Sequence, residues 1–383
     1  MAKTYCIFTA FYLPHVGGVE KYTASLARAL VEGGDEVIVV TTASGAERPL
    51  EESPYEGLTV FRLPSFGLLG GRFPLPRKNA AYRRVRNMLR NASIDYVVVN
   101  TRFYLHSLEG LRLARDHRVK PVLIEHGSAH LTMGGGLVDK AVEAYEHFLT
   151  PFVKRFHPDF YAVSQMGCVW LEHFGVASCG VLSNSIDAES FRSLSTGRDF
   201  RGECGVSDGS LACAFVGRFV PEKGVACVLE AARMLQQRPD VTFFLAGDGP
   251  MRSDIEEAKL SNLHYVGRLS EGDVAALLET ADVFVLPSRS EGFSTSLLEC
   301  AATSTPPIVT HVGGVDELVP TAEYGCVISA ASADEVVSCI ERFADDETLA
   351  PAMGARLVRR VEREFSWNAT AAKVRAACMK ANG

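Results

Sequence analysis

Short runs that are apolar on nearly every residue return throughout this sequence, and amphipathic helical stretches separate most of them. In the first half the runs are TYCIFTA (4–10), EVIVVTT (36–42), LTVFRL (58–63), IDYVVVN (94–100), PVLIEH (121–126) and FYAVS (160–164). In the second half they are LACAFVG (211–217), VTFFLAG (241–247), LHYVG (263–267), DVFVLP (282–287) and PIVTH (307–311). A strand that is apolar on both faces has to be covered on both faces, which is the condition of a parallel sheet in an α/β fold. Between the first two runs, VEKYTASLARALVEGG has the 3.6-residue period of a helix and ends on the stop signal Gly33-Gly34. The layout restarts halfway, so the 383 residues read as two Rossmann-like, doubly wound units, 1–190 and 191–362. The polar, Gly/Ser-rich stretch RSLSTGRDFRGECGVSDGS (192–210) reads as the region that joins them.

Composition removes several classes of function. With 47% hydrophobic and 22% charged residues the chain can bury real cores, so disorder is not expected. No apolar run reaches the length of a membrane span, and the N-terminus lacks the order of a signal peptide. The ten cysteines are scattered without a C-x-x-C pair, as expected for reduced, buried thiols in the cytoplasm. A net charge of −7 argues against a general nucleic-acid binder. The charge is uneven: Lys+Arg against Asp+Glu is 20 to 19 over residues 1–190 and 19 to 27 over 191–383.

Ligands of doubly wound sheets bind beyond the carboxyl ends of the strands, and two such edges facing across a cleft make the expected site. After the first strand, Gly17 and Gly18 open a helix whose N-terminal amides suit an anion; the same pair would also serve as a simple turn. After the first strand of the second half comes GRFVPEKG, with Arg218 able to fork onto phosphate oxygens and Lys223 adding a mobile charge. After the fourth comes SRSEGFSTSLLECAA, with Glu291 in a loop, Ser294, Thr295 and Ser296 as helix caps, and Glu299 inside the helix. Two carboxylates on different elements, with a helix N-terminus between them, fit a donor that has sugar, phosphates and ribose in a row.

In that order these residues resemble the GT-B retaining glycosyltransferases of family 4. The resemblance covers nearly the whole chain: GGVEKYTASLARAL, EHGS, AVS, NSID, GRFVPEKG, AGDGP, VGRLS, ADVFVLPSRSEGFSTSLLE with its E-x7-E, and HVGG-x-x-E. It implies a GT-B fold with an acceptor-binding first domain, rejoined by the last helix at about 363–383, and a donor-binding second domain. It also implies that Arg218 and Lys223 hold the donor diphosphate, that Glu291 contacts the donor sugar and Glu299 the ribose. The backbone from Gly292 through Phe293, Ser294, Thr295 and Ser296 would serve sugar and phosphate, and Gly17 and Gly18 would close on the diphosphate. His126 matches the family histidine near the donor sugar. The implied reaction moves a sugar from a nucleotide-diphosphate donor to an acceptor hydroxyl with retention, needing no metal and no other cofactor. A glycan or a lipid-linked acceptor in polysaccharide, lipopolysaccharide or glycolipid assembly is the implied partner.

Other readings fit less of the sequence. A GT-B epimerase shares the fold, and a non-catalytic sugar- or nucleotide-binding module would explain the architecture but not the cations and carboxylates at strand exits. No G-x-G-x-x-G follows a strand, and there is no P-loop or G-x-S-x-G elbow. His126 and His130 beside Glu125 suggest a metal pair, but no third ligand has matching spacing. Glu125 and Glu317 read as structural or supporting residues. RFPLPRKNAAYRRVRNMLR (72–90) holds seven basic residues and no acidic one, and Phe66, Leu68, Leu69, Phe73 and Leu75 stand beside it or within it. Segment 66–90 therefore offers a peripheral contact with an anionic membrane, a site for an anionic acceptor, or only a solvated helix face.

Overall fold

The structure is a computed structural model that describes residues 2–15, 17–43, 49–68, 70–131 and 136–383. The chain forms two compact units. The first is Met1–Asn184 with Trp367–Gly383, and the second is Ser185–Ser366.

The first unit runs β1 (Thr4–Phe8), α1 (Gly18–Glu32), β2 (Glu36–Ala43), β3 (Glu51–Tyr55), β4 (Leu58–Leu68), β5 (Phe73–Pro76) and α2 (Ala80–Asn91). It continues through β6 (Tyr96–Asn100), α3 (Leu105–His117), β7 (Val122–Glu125), α4 (Leu137–Lys154), β8 (Asp159–Ala162) and α5 (Gln165–Glu172). Its sheet has the order β3-β4-β2-β1-β6-β7-β8, with β5 paired to β4. The strands are parallel except where β3 and β5 run against β4. Ile7, Val39, Val98 and Leu123 have no exposure at all, which is why these strands show no polar alternation. Strand order reverses between β1 and β6, so the exits of those two strands form the crevice of this sheet.

The second unit contains α6 (Ala188–Ser193), α7 (Phe200–Cys204), β9 (Leu211–Val216), α8 (Val225–Met234), β10 (Val241–Ala246), α9 (Arg252–Ala258) and β11 (Leu263–Gly267). After them come α10 (Glu271–Thr280), β12 (Val283–Leu286), α11 (Thr295–Ala302), β13 (Pro307–Thr310), α12 (Val315–Leu318), β14 (Cys326–Ile328), α13 (Ala333–Asp345) and α14 (Leu349–Glu364). The sheet is parallel throughout, in the order β11-β10-β9-β12-β13-β14. Its reversal lies between β9 and β12.

Each apolar run named above forms a strand. β3, β5 and β14 were not legible: EESPY is polar and broken by Pro54, FPLP has two prolines, and CVI is three residues long. Stretch 192–210 is not a linker. Phe200 is fully buried and meets Phe244, and Arg201 reaches Asp282 at 2.8 Å, so this polar segment is held within the second unit. Polar composition marked its exposed side chains and concealed one buried anchor.

The last helix, α15 (Trp367–Asn382), returns to the first unit. Arg375 donates to Asp35 Oδ2 at 2.7 Å and to the Leu30 carbonyl at 3.0 Å. The guanidinium fills the place where a Cβ on Gly33 would stand, at 2.0 Å. Gly33 therefore serves a close approach rather than only a helix stop.

Candidate functional site

The exits of β9 and β12, neighbours at the reversal point of the second sheet, carry the two side chains that meet. Lys223, in a single 3-10 turn (Pro221–Lys223), places Nζ 2.6 Å from Glu291 Oε1. Ser288 Oγ donates to the same carboxylate oxygen at 2.8 Å, and its own carbonyl accepts from the Thr310 hydroxyl. The Arg289 amide donates to the Glu222 carbonyl at 2.7 Å, which ties the two loops by backbone as well. Ammonium and carboxylate side chains keep 19% and 12% of their surface, shielded enough to matter and open enough for a ligand to reach. Arg218, two residues after the end of β9, is exposed.

Glycines allow these loops to come together. Gly224 has φ +74° and a Cβ there would lie 2.1 Å from the Pro287 carbonyl oxygen. Gly313 has φ +58° and would meet the Gly292 carbonyl and the Glu291 side chain, while a Cβ on Gly314 would enter the Phe293 ring. Gly224→Ala is expected to cost about 1–3 kcal/mol from the left-handed backbone alone, with the clash added. A Tm lowered by less than 1 °C, to be seen by thermal unfolding, would contradict that packing.

α11 presents its candidates on one face. Leu297, Leu298, Cys300, Ala301 and Ala302 are buried, whereas Thr295, Ser296 and Glu299 are half-buried, at i, i+1 and i+4. Ser294 caps the helix by accepting from the Leu297 amide at 3.4 Å. The Phe293 side chain is buried and meets the Phe365 ring at a tilt, so only its backbone is available to a ligand.

In the first unit, Gly17 is the N-cap of α1 and Gly18 its first residue. The Glu20 carboxylate stands over Gly17, 2.4 Å from where a Cβ would be, and pairs with His15 Nδ1 at 3.0 Å. A negative charge thus already sits at this helix start. His126 follows β7 and bonds through Nε2 to Asn100 Oδ1 at 2.9 Å. Asn100 donates from Nδ2 to Thr23 Oγ1, and Thr23 donates to the Val19 carbonyl at 2.7 Å. This chain fixes the amide orientation, so Nε2 of His126 is the protonated nitrogen and Nδ1 carries the lone pair. The ring meets Tyr22 edge-on, and Tyr22 in turn meets Trp367.

Burial pushes the His126 pKa down to about 3, and that of His106, bonded to the Val40 carbonyl, down to about 4. Both values are lowered from an unfolded value near ~6.5. The folded state therefore binds fewer protons, and stability that is full above ~6.5 is lost as pH falls toward 4 and 3. His126 should show no NMR titration between pH 8 and 5; a midpoint near 6.5 would contradict its environment.

One buried network was not anticipated. Arg102, 1% exposed, donates to Glu125 Oε2 at 3.0 Å and to Glu146 Oε2 at 2.8 Å, and lies 3.7 Å over the Phe174 ring. Glu125 Oε1 accepts from the His126 and Gly127 amides at 3.2 and 3.4 Å, and Glu146 Oε1 from the Leu131 amide at 3.1 Å. Burial pushes the Glu125 carboxyl up, with Arg102 opposing it. One cation thus holds two carboxylates that grip both ends of the loop 126–131. Glu317 supports by its backbone: its carbonyl accepts from Arg360 at 3.0 and 2.7 Å.

Segment 66–90 is only partly a free basic face. Arg86 and Arg90 pair with Asp116, and Arg86 also with Glu109. Phe73 packs on Tyr104 and Tyr145, while Phe66 and Leu68 are exposed; Leu69 lies outside the described residues. No helix among the described residues is long and apolar enough to cross a membrane. All ten cysteines are free thiols.

Two family profiles divide the chain between them. One described as Glycosyltransferase Family 4 matches residues 16–190, and one described as Glycosyl transferases group 1 matches 199–359. D-inositol 3-phosphate glycosyltransferase of Pseudarthrobacter chlorophenolicus is 25% identical over 93% of this chain and 88% of its own. Among solved structures, a glycosyltransferase from Rickettsia africae superimposes with a TM-score of 0.76 at 17% identity, over 99% of this chain and 98% of its own. Anabaena HepE in complex with UDP and glucose gives 0.71 at 18%, over 99% and 100%. The fold is GT-B.

Proposed function

Since the chain is a glycosyltransferase of the family-4 type, with one family profile on each of its units, we propose that it moves a sugar from a nucleotide-diphosphate donor to an acceptor hydroxyl with retention of anomeric configuration. The observation that carries this reading is the meeting of Lys223 and Glu291 at the β9–β12 reversal point, beside the N-terminus of α11. Anabaena HepE, of the same fold, was solved with UDP and glucose, which supports a nucleotide-sugar donor.

In this reading the donor diphosphate takes the charge of Lys223 and Arg218 and the first-turn amides of α11, with Glu299 on the ribose. Glu291, relieved of Lys223, accepts from a hydroxyl of the donor sugar. Negative charge grows on the departing diphosphate as the glycosidic bond stretches, so fixed cations and dipoles favour the transition state over the bound donor. The leaving phosphate oxygen is close to the attacked face when configuration is retained, so it is the group that takes the acceptor proton. In the first unit His126, neutral and oriented through Asn100, offers an uncharged hydrogen-bonding ring. The acceptor is a glycan or a lipid-linked sugar.

The test is release of the nucleoside diphosphate from UDP-, GDP- and ADP-sugars, with and without EDTA, soluble glycan fractions and membrane extract. Release from one donor, unchanged by EDTA and raised by an acceptor fraction, is expected. An acceptor found only in membranes would assign a lipid-linked substrate. Binding without release under every condition would overturn the transferase reading in favour of a binding module.

A further inference from the structure

His130 was one half of a metal pair that the sequence could not complete, because no third ligand stands nearby in the chain. The fold supplies two. His147 on α4 and His173 at the end of α5 come to His130, and one ring nitrogen of each lies within 4.8 Å of the other two. The Nε2 atoms of His147 and His173 are 3.2 Å apart. A tetrahedral ion with Zn–N bonds of about 2.05 Å sets its ligand nitrogens about 3.3 Å apart and its imidazole centroids roughly 5.2 Å apart. The three centroid distances here are 5.0, 5.4 and 5.6 Å.

The surroundings match a metal centre as well. Glu143, one helical turn before His147, has Oε1 3.7 Å from His130 Nε2 and can give an oxygen ligand. His130 Nδ1 is buried and makes no hydrogen bond, although Glu146 Oε2 stands 3.4 Å away. With an ion on Nε2, the proton sits on Nδ1 and the Glu146 carboxylate can accept it, the outer contact that metal-bound histidines ordinarily have. Trp170 stacks on His173 and meets His130 edge-on, and Phe174 closes another side.

We propose that His130, His147 and His173, with Glu143, bind a divalent transition ion of the zinc class, which ties the His126–Leu131 loop to α4 and α5. Imidazole and carboxylate ligands suit zinc, and the loop already depends on Glu125 and Glu146 for its ends. The ion takes no part in the transfer chemistry; it restrains the loop that carries His126.

The test uses full-length protein freed of metal by chelator and titrated with Zn²⁺ in a calorimeter and with Co²⁺ in a spectrophotometer. One ion per chain is expected, with the d–d bands of tetrahedral nitrogen and oxygen coordination and no thiolate charge-transfer band. His147→Ala/His173→Ala should lose at least about 100-fold in affinity. Both side chains are exposed, so this variant should keep its circular dichroism, and His311→Ala serves as control. Zn²⁺ should also slow amide exchange over 126–131 in the wild type and not in the double variant. No binding would leave only a histidine–histidine hydrogen bond and overturn the proposal. Binding equal in both proteins, or a thiolate band, would place the ion on the cysteines and overturn it too.

Discussion

Lys223→Ala lowers kcat by roughly 10²–10³-fold, the usual loss when one fixed group facing developing charge is removed. The structure shows why so much depends on one side chain. Lys223 is held by Glu291 at 2.6 Å with both side chains mostly covered, and Gly224 immediately after it lets that turn press against Pro287. The ammonium is therefore held at the loop where the donor diphosphate is expected, and it exchanges Glu291 for that diphosphate, so its charge faces the leaving group as the bond stretches. Removing it also leaves Glu291 without its cation, though Ser288 remains at 2.8 Å. Glu291→Gln keeps the shape and loses the acceptor charge, so turnover should fall while affinity for the bare nucleoside diphosphate stays nearly unchanged. Steady-state kinetics on the donor that the release assay selects checks both; a kcat within about twofold of wild type for Lys223→Ala would reject its role.

Arg102→Met destabilises the first unit by about 3–5 kcal/mol. Methionine can follow the stem of the arginine along Phe174, but it leaves Glu125 and Glu146 facing each other without a cation in a space where both are at most 2% exposed. Breaking a buried pair from one side costs more than the pair is worth, because the remaining charges have to be neutralised or exposed. For a unit of this size the melting temperature should fall by on the order of 10 °C. Amide exchange at His126, Gly127 and Leu131 should rise first, since those amides hang on the two carboxylates. A variant that melts with the wild type would show that the network carries little of the stability.

The strands were legible because parallel strands buried on both faces leave continuous apolar runs, whereas strand order and its two reversal points depend on pairing between distant runs and were not. Lys223 and Glu291 were legible for the same reason: each follows a run, and strand exits are where ligands of such sheets sit. Glu125 was legible as a supporting residue, but its partners Arg102 and Glu146 were not, since each alone looks like an ordinary surface charge and 44 residues separate them. Asn100, which orients His126, could have been suspected as a polar residue ending the apolar run YVVVN. Ser288 had the same signal after β12. The three histidines share no local spacing, and only the fold brings them together.

The measurement that bears most directly on the central claim is calorimetric binding of UDP, GDP and ADP to the wild type, Glu291→Gln and Glu299→Ala. One nucleoside diphosphate should bind the wild type and Glu291→Gln alike, and Glu299→Ala should weaken it by about tenfold, the worth of one charge-assisted hydrogen bond. If no nucleotide binds, or if Glu299→Ala leaves the affinity untouched, the donor does not lie at the β9–β12 reversal point with its ribose on α11.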